Sequence, residues 1–257
     1  MVSKADHIKA VNRSRARLIP GGVKIIRTFL RKENARLIDS IGRPNSLHEA
    51  AARLKGNARE FYDPKDAYVK LYQSVVPVAA RETEARLDKL KKGSEPIDFW
   101  LRFVLAWIES DAGRLIAGVA EFSHEMVVTL VNRQLSLAAT EGWSVNRLTS
   151  AILSDLGTVA EYRARRIART EIMRAYSVGS REAALQTGLV LKKVWLTAGD
   201  GRGERHATDL YPDLEGQTRD MNEYYDVGGY PAMTPQDAAL PPGESCNCRC
   251  SEAYVPQ

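Results

Sequence analysis

The chain carries the segment SCNCRCS near its end, with Cys246, Cys248 and Cys250 at alternate positions, and His206 stands forty residues before the first of them in GDGRGERHATDL. Three thiolates and one imidazole are a zinc donor set, and zinc would staple a loop-rich segment that cannot bury a core of its own. The spacing pulls the other way, because zinc pairs are usually C-x2-4-C and three successive C-x-C ligands crowd one ion. Buried small apolar side chains are the plainer reading of one or two of these cysteines. A disulfide between Cys248 and Cys250 would close a strained ring, and a reducing compartment disfavours it. Beside His206 lie Arg205, Asp200, Glu204 and Asp209, a density of titratable groups that fits general-base or nuclease-like hydrolysis. The alternative is an exposed polar turn made by Gly199, Gly201 and Gly203. No P-loop, G-x-S-x-G or H-E-x-x-H occurs in the chain.

A second chemistry is electrostatic. The net charge of +5 divides into −7 for residues 194–257 and +12 for residues 1–193. Residues 1–36 hold ten Lys or Arg, among them Arg13, Arg15, Arg17, Lys24, Arg27, Arg31 and Lys32, against Asp6 and Glu33. Such an arm can neutralise phosphates of double-stranded DNA with salt-dependent, sequence-independent affinity, or it can be the solvated face of a helix. The same choice applies to Arg163, Arg165, Arg166, Arg169, Arg174 and Arg181, where Glu161 and Arg165 pair at i, i+4.

These groups need elements to position them. Pro20-Gly21-Gly22, Gly42-Arg43-Pro44, Pro64 and Pro77 are expected to break residues 1–93 into an irregular, basic, helical region. From the N-cap Ser94, apolar residues from Ile97 to Leu130 recur mostly at spacings of three and four, predicting one long amphipathic helix over 94–142 that ends near Gly142. Within it, FWLRFVLAW at 99–107 reads as core or as a surface for a partner helix. After Gly157, Thr158 and Glu161 form a T-x-x-E capping box, predicting a helix from there to about Gln186 with Gly188 as its C-cap. LVLKKVWLT then reads as a short strand, and Gly- and Pro-rich loops follow from 198. The predicted fold is α-rich: a helical N-terminal region followed by a small α+β C-terminal domain over 143–257, with a short sheet and long loops.

Length and composition narrow the classes. A chain of 257 residues with 44% hydrophobic residues can bury one sizeable core or two modest ones, and three cysteines are too few for a disulfide scaffold. Arg102, Glu109, Asp111, Arg114 and Glu121 interrupt the most apolar stretch, so no membrane span is expected. The start MVSKADHIKAVNR lacks the apolar centre of a secretory signal, so a soluble protein of the cytoplasm is expected.

The order of features is distinctive. RARRIARTEIMRAYSVGSREAAL, a strand ending in VWLTAGDGRGERH, the Leu214 to Gln217 turn, a Pro-rich loop and the closing CNCRC together resemble the Mu F-like head-morphogenesis, or minor head protein, family of tailed bacteriophages, over roughly residues 140–254. Arg169, Thr170, Glu171, Trp195, Asp200, Arg205, His206, Gly216, Cys248, Arg249 and Cys250 fall where that pattern places them. Arg202 and Arg205 are rival matches to the family arginine, and Cys246 is an additional thiol. The resemblance implies a low-copy structural protein of the phage head, acting in procapsid assembly at the portal vertex and touching packaged DNA. Its implied partners are the portal protein and the major capsid or scaffold protein, and its implied location is the virion, after assembly in the bacterial host cytoplasm. Domains of this type also occur joined to toxin-like modules, which keeps a hydrolytic alternative through His206 open, and the basic arm keeps open a mainly non-specific DNA-binding module. Thr170 and Glu171 are expected to be internal polar anchors that bond loop backbone, because a buried carboxylate needs partners.

Overall fold

The computed structural model describes residues 3–42, 44–57, 61–87, 97–110, 113–198, 214–246 and 248–257. Their order is α1 (Lys4–Asp39), α2 (Leu47–Asn57), α3 (Lys65–Leu87), α4 (Ile97–Ser110), α5 (Gly113–Glu141), α6 (Val145–Gln186), β1 (Leu191–Leu196), β2 (Thr218–Asp220), β3 (Tyr225–Val227), β4 (Tyr230–Ala232), α7 (Pro242–Ser245) and β5 (Ser251–Pro256). The fold is α-rich, and among the described residues its short antiparallel sheets lie in the C-terminal region. Among the described residues no helix is long and apolar enough to cross a membrane.

Local chemistry sets the ends. Ser3 caps α1, its Oγ accepting from the Asp6 N–H at 3.2 Å and donating to the Asp6 carboxylate at 2.7 Å. Ser144 caps α6 by accepting from the Arg147 N–H, and Gly188, at φ +64°, closes it in the left-handed conformation. Pro64 stands just before α3, where its missing N–H costs nothing and its carbonyl accepts from Tyr68.

Three sequence expectations change. Helix α1 runs through Pro20 and α3 through Pro77. Burial of Val23, Ile26 and Leu30 beyond the first proline, and of Val75, Val76, Ala79 and Ala80 around the second, outweighs the local penalty. The T-x-x-E box does not start a helix either. Thr158 lies mid-helix with its hydroxyl donating back to the Ser154 carbonyl at 3.2 Å, so α6 is one element of 42 residues. Finally, the span 94–142 holds two helices, α4 and α5.

The chain divides into two compact units that interleave along the sequence. The physical reason is helix length, since α1 and α6 are each longer than one small core can cover and each serves both units. One unit comprises Val23–Tyr68 and Ala112–Arg165. Within it Arg27 pairs with Glu161 at 2.7 Å, Asn34 donates to the Leu156 carbonyl at 3.2 Å, Tyr62 donates to Asn34 at 2.6 Å, and Gln134 donates to Asp155 at 2.6 Å. Buried Arg163 donates to Ser123 at 2.7 Å and lies over the Phe122 ring.

The other unit comprises Met1–Gly22, Val69–Asp111 and Arg166–Gln257. Here α6 and α3 approach so closely that a Cβ on Gly179 would lie 3.0 Å from the Val76 carbonyl oxygen. Glu82 joins three helices, accepting from Ser14 at 2.5 Å and from Tyr176 at 2.6 Å. Tyr72 stacks on Trp107, with centroids 4.9 Å apart. Strand β1 is central in a sheet of order β2-β1-β5, pairing Trp195 with Glu252 and Lys193 with Tyr254. A second sheet is the β3–β4 hairpin, whose Gly228-Gly229 turn has both φ values positive, as a two-residue hairpin of that hand requires. Trp195, Leu214, Tyr225, Val227, Ala232, Leu240, Cys248 and Cys250 form one apolar cluster beneath these strands.

Candidate functional site

The C-R-C segment and the Thr170-Glu171 helix meet through one buried polar network, all within the unit that contains the sheets. The Glu171 carboxylate accepts from the Tyr72 hydroxyl at 2.8 Å and pairs with the Arg174 guanidinium three residues on, one helical turn away. Arg174, only 2% exposed, directs its Nε to the Gln236 carbonyl at 2.7 Å. The Gln236 side chain continues the path: its Nε2 donates to the carbonyls of Cys248 and Cys250, each at 3.2 Å, and to Cys248 Sγ at 3.1 Å. Its Oε1 accepts from the Ser177 hydroxyl at 3.2 Å, and that hydroxyl accepts from Arg15 Nη2 at 3.1 Å. Arg15 closes the circuit with Nη1 on the Cys250 carbonyl at 2.9 Å and its guanidinium 4.9 Å from the Tyr176 ring centroid.

The network is costly to build. Gln236 sits at φ +63°, a left-handed conformation that costs a non-glycine residue roughly 1–2 kcal/mol. Arg15 is 1% exposed, and burial lowers its pKa by disfavouring the charge. Both costs are offset because the Cys248–Cys250 backbone, which lies outside the strand ladders, gains side-chain donors for its carbonyls. The arrangement holds the C-terminal segment against α1 and α6.

A second buried group lies on the core-facing side of β1 and β5. Lys193 donates to the Met233 carbonyl at 2.5 Å and stands 4.5 Å from the Tyr225 ring centroid, and burial lowers its pKa to about 8. Burial raises the Glu252 carboxyl to about 7, opposed by the Lys193 charge, while the Tyr254 hydroxyl donates to it at 2.9 Å. The Glu252 carbonyl lies 2.9 Å from His7 Nε2, whose pKa is lowered to about 4 by burial and then by the Arg86 charge. Lys4 of α1 pairs with Glu215, so the start of α1 is tied to both the turn before β2 and strand β5. Burial alone would raise the Glu215 carboxyl, but donors from Lys4 and Thr197 outweigh it and hold the carboxyl low.

The expected site residues are distributed unevenly. Thr170 and Glu171 are buried, but Glu171 reaches loop backbone through Arg174 instead of bonding it directly. Arg169 is exposed and takes no part in the network. Trp195 is fully buried and packs edge-on against Tyr225 at 5.1 Å. Gly216 adopts φ +76° in the turn in which the Gln217 N–H bonds the Leu214 carbonyl, and its own N–H bonds the Trp195 carbonyl at 2.9 Å. Arg249 is half-buried between the two buried cysteines. Cys248 and Cys250 belong to the apolar cluster and Cys246 is half-buried; all three are thiols. His206, Arg205 and Asp200 lie outside the described residues. Among the described residues no three His, Cys, Asp or Glu side chains are grouped to hold a metal ion.

The basic arm also separates. Arg13, Arg17, Lys24, Arg31 and Lys32 are exposed along α1, Arg27 is paired with Glu161, and Arg15 is an internal structural cation unavailable to DNA. Sequence reasoning missed Arg174 as the partner of Glu171, although the i, i+3 spacing in RTEIMR carries that signal. It also missed Gln236, His7, Lys193 and Glu252, whose partners lie beyond the reach of any local helix or strand spacing.

Comparison with known proteins adds little chemistry. The chain is 27% identical over 146 residues to an uncharacterized protein, YqbB, of Bacillus subtilis (strain 168), a match that covers 56% of this chain and 46% of that protein. The match thus spans about half the length of that curated relative. No protein-family model matches the chain, and no solved structure matches it.

Proposed function

We propose that the chain is a structural minor head protein of a tailed phage, acting in procapsid assembly at the portal vertex, with packaged DNA against the exposed basic face of α1. The observation that carries this reading is the use made of the motif residues. Glu171, Trp195, Gly216, Cys248 and Cys250 serve as anchors, turn and core, and Gln236 and Arg174 bind backbone carbonyls instead of lining a cleft. A scaffold built this way presents rigid outer surfaces of opposite charge, which suits docking between a portal and a polyanion. The alternative is a nuclease- or toxin-like hydrolase using His206 with Arg205 or Asp200, all three of which lie outside the described residues.

The test is co-expression with the portal protein encoded in the same genome. The reading expects this chain to sediment with the portal ring at moderate salt. Separate migration at all salt concentrations contradicts it, and so does metal-dependent cleavage of DNA or RNA that is lost in His206→Ala.

A further inference from the structure

Two exposed surfaces of opposite charge lie on the sheet-containing unit. On α1, Lys9, Arg13 and Arg17 occupy successive turns on the side away from buried Val11, Ser14 and Arg15. Among the described residues none of the three has a carboxylate within ion-pair reach. The β3–β4 hairpin and the turn before it present Asp220, Glu223 and Asp226 with Tyr224 at 57% and Tyr230 at 46% exposure. Asp220 has a local cation, with Lys192 3.6 Å away, whereas Glu223 and Asp226 have none among the described residues. Two solvated aromatics flanked by unneutralised carboxylates complement a row of guanidinium and ammonium groups, which can lie over tyrosine rings as well as pair with carboxylates.

We infer that the acidic, tyrosine-bearing hairpin of one copy docks on the Lys9–Arg13–Arg17 face of a second copy of this chain. Every chain then carries both halves of the contact, so association either runs head-to-tail into a ring or short row or closes as a reciprocal twofold dimer. A contact made of rim charges and two aromatics is salt-sensitive and weak, assembling when copies are held at high local concentration. DNA would compete for the same α1 face, so the protein must be freed of nucleic acid before measurement.

The experiment is sedimentation velocity on nuclease-treated full-length protein at roughly 100 μM, in salt of about 50 mM and again about 500 mM, spanning a threefold change in screening length. Wild type is expected to show concentration-dependent association at low salt that is lost at high salt. Arg13→Glu/Arg17→Glu, and separately the isosteric Glu223→Gln/Asp226→Asn, which keeps the groups that cap the hairpin backbone, should each weaken association about ten-fold or more. Mixing Arg13→Glu/Arg17→Glu protein with Glu223→Lys/Asp226→Lys protein should restore it, since each supplies the surface the other lacks. A monomer at every concentration, or association that survives high salt or both sets of substitutions, overturns the proposal.

Discussion

Replacing Arg174 by Met would leave a chain with nearly the same apolar stem but no guanidinium. The Glu171 carboxylate would then remain buried with the Tyr72 hydroxyl as its surviving donor in the network, and the Gln236 carbonyl would lose its 2.7 Å bond. Breaking a buried ion pair from one side costs about 3–5 kcal/mol, because an uncompensated charge stays in a low-dielectric interior. At about 2–4 °C per kcal/mol for a domain of this size, the melting temperature should fall by roughly 10 °C. Thermal unfolding followed by tryptophan fluorescence suits the test, since Trp100, Trp107 and Trp195 all belong to the unit that contains the network. Arg174→Met/Glu171→Met removes both charges and should recover at least half of the loss. A single variant melting within about 1 °C of wild type, or a double variant no better than the single, would refute the assignment of Arg174 and Glu171 as a structural pair.

The other expectations follow from the same geometry. Gln236→Ala strips donors from the Cys248 and Cys250 carbonyls, so it should cost about 1–3 kcal/mol and speed labelling of these thiols by a disulfide reagent about ten-fold or more, while Cys246 labelling stays unchanged; unchanged labelling would count against the latch. His7 has a folded pKa of about 4, below its ordinary 6.5, so it contributes full stability above pH 6.5 and loses it as pH falls toward 4. His7→Gln should remove up to about 3 kcal/mol of that acid-side loss in urea titrations, and identical pH slopes in both proteins would contradict it. Arg13→Gln/Arg17→Gln should lower duplex-DNA affinity and flatten the salt slope by about two, with melting unchanged, whereas Arg15→Gln should lower melting and leave the slope alone; the reverse pattern would sink the division of the basic arm.

The helical spacing from Ile97 to Leu130 and the Val-, Leu- and Trp-rich strand at LVLKKVWLT were legible because periodicity and residue type report directly on burial. Element boundaries were less so. Pro20 and Pro77 act as breakers in isolation, yet packing of Ile26, Leu30, Val76 and Ala79 overrode them, and Thr158 turned its hydroxyl back on α6 instead of capping it. Arg15 shows the limit most clearly. Flanked by Arg13 and Arg17, it has the same local sequence signal as its neighbours, and only the helix face it occupies makes it an internal cation. The Glu171–Arg174 pair was within reach of helical spacing, but Gln236 holds carbonyls twelve and fourteen residues away and could be found only once the chain was folded.

The proposed role makes this protein a built part of the phage head. Quantitative mass spectrometry of purified procapsids, made with and without high-salt washing, tests it most directly. A minor head protein should be found in the particles at a small, fixed ratio to the portal protein that survives mild washing. Recovery only in the particle-free fraction, with procapsids lacking it altogether, would contradict that role.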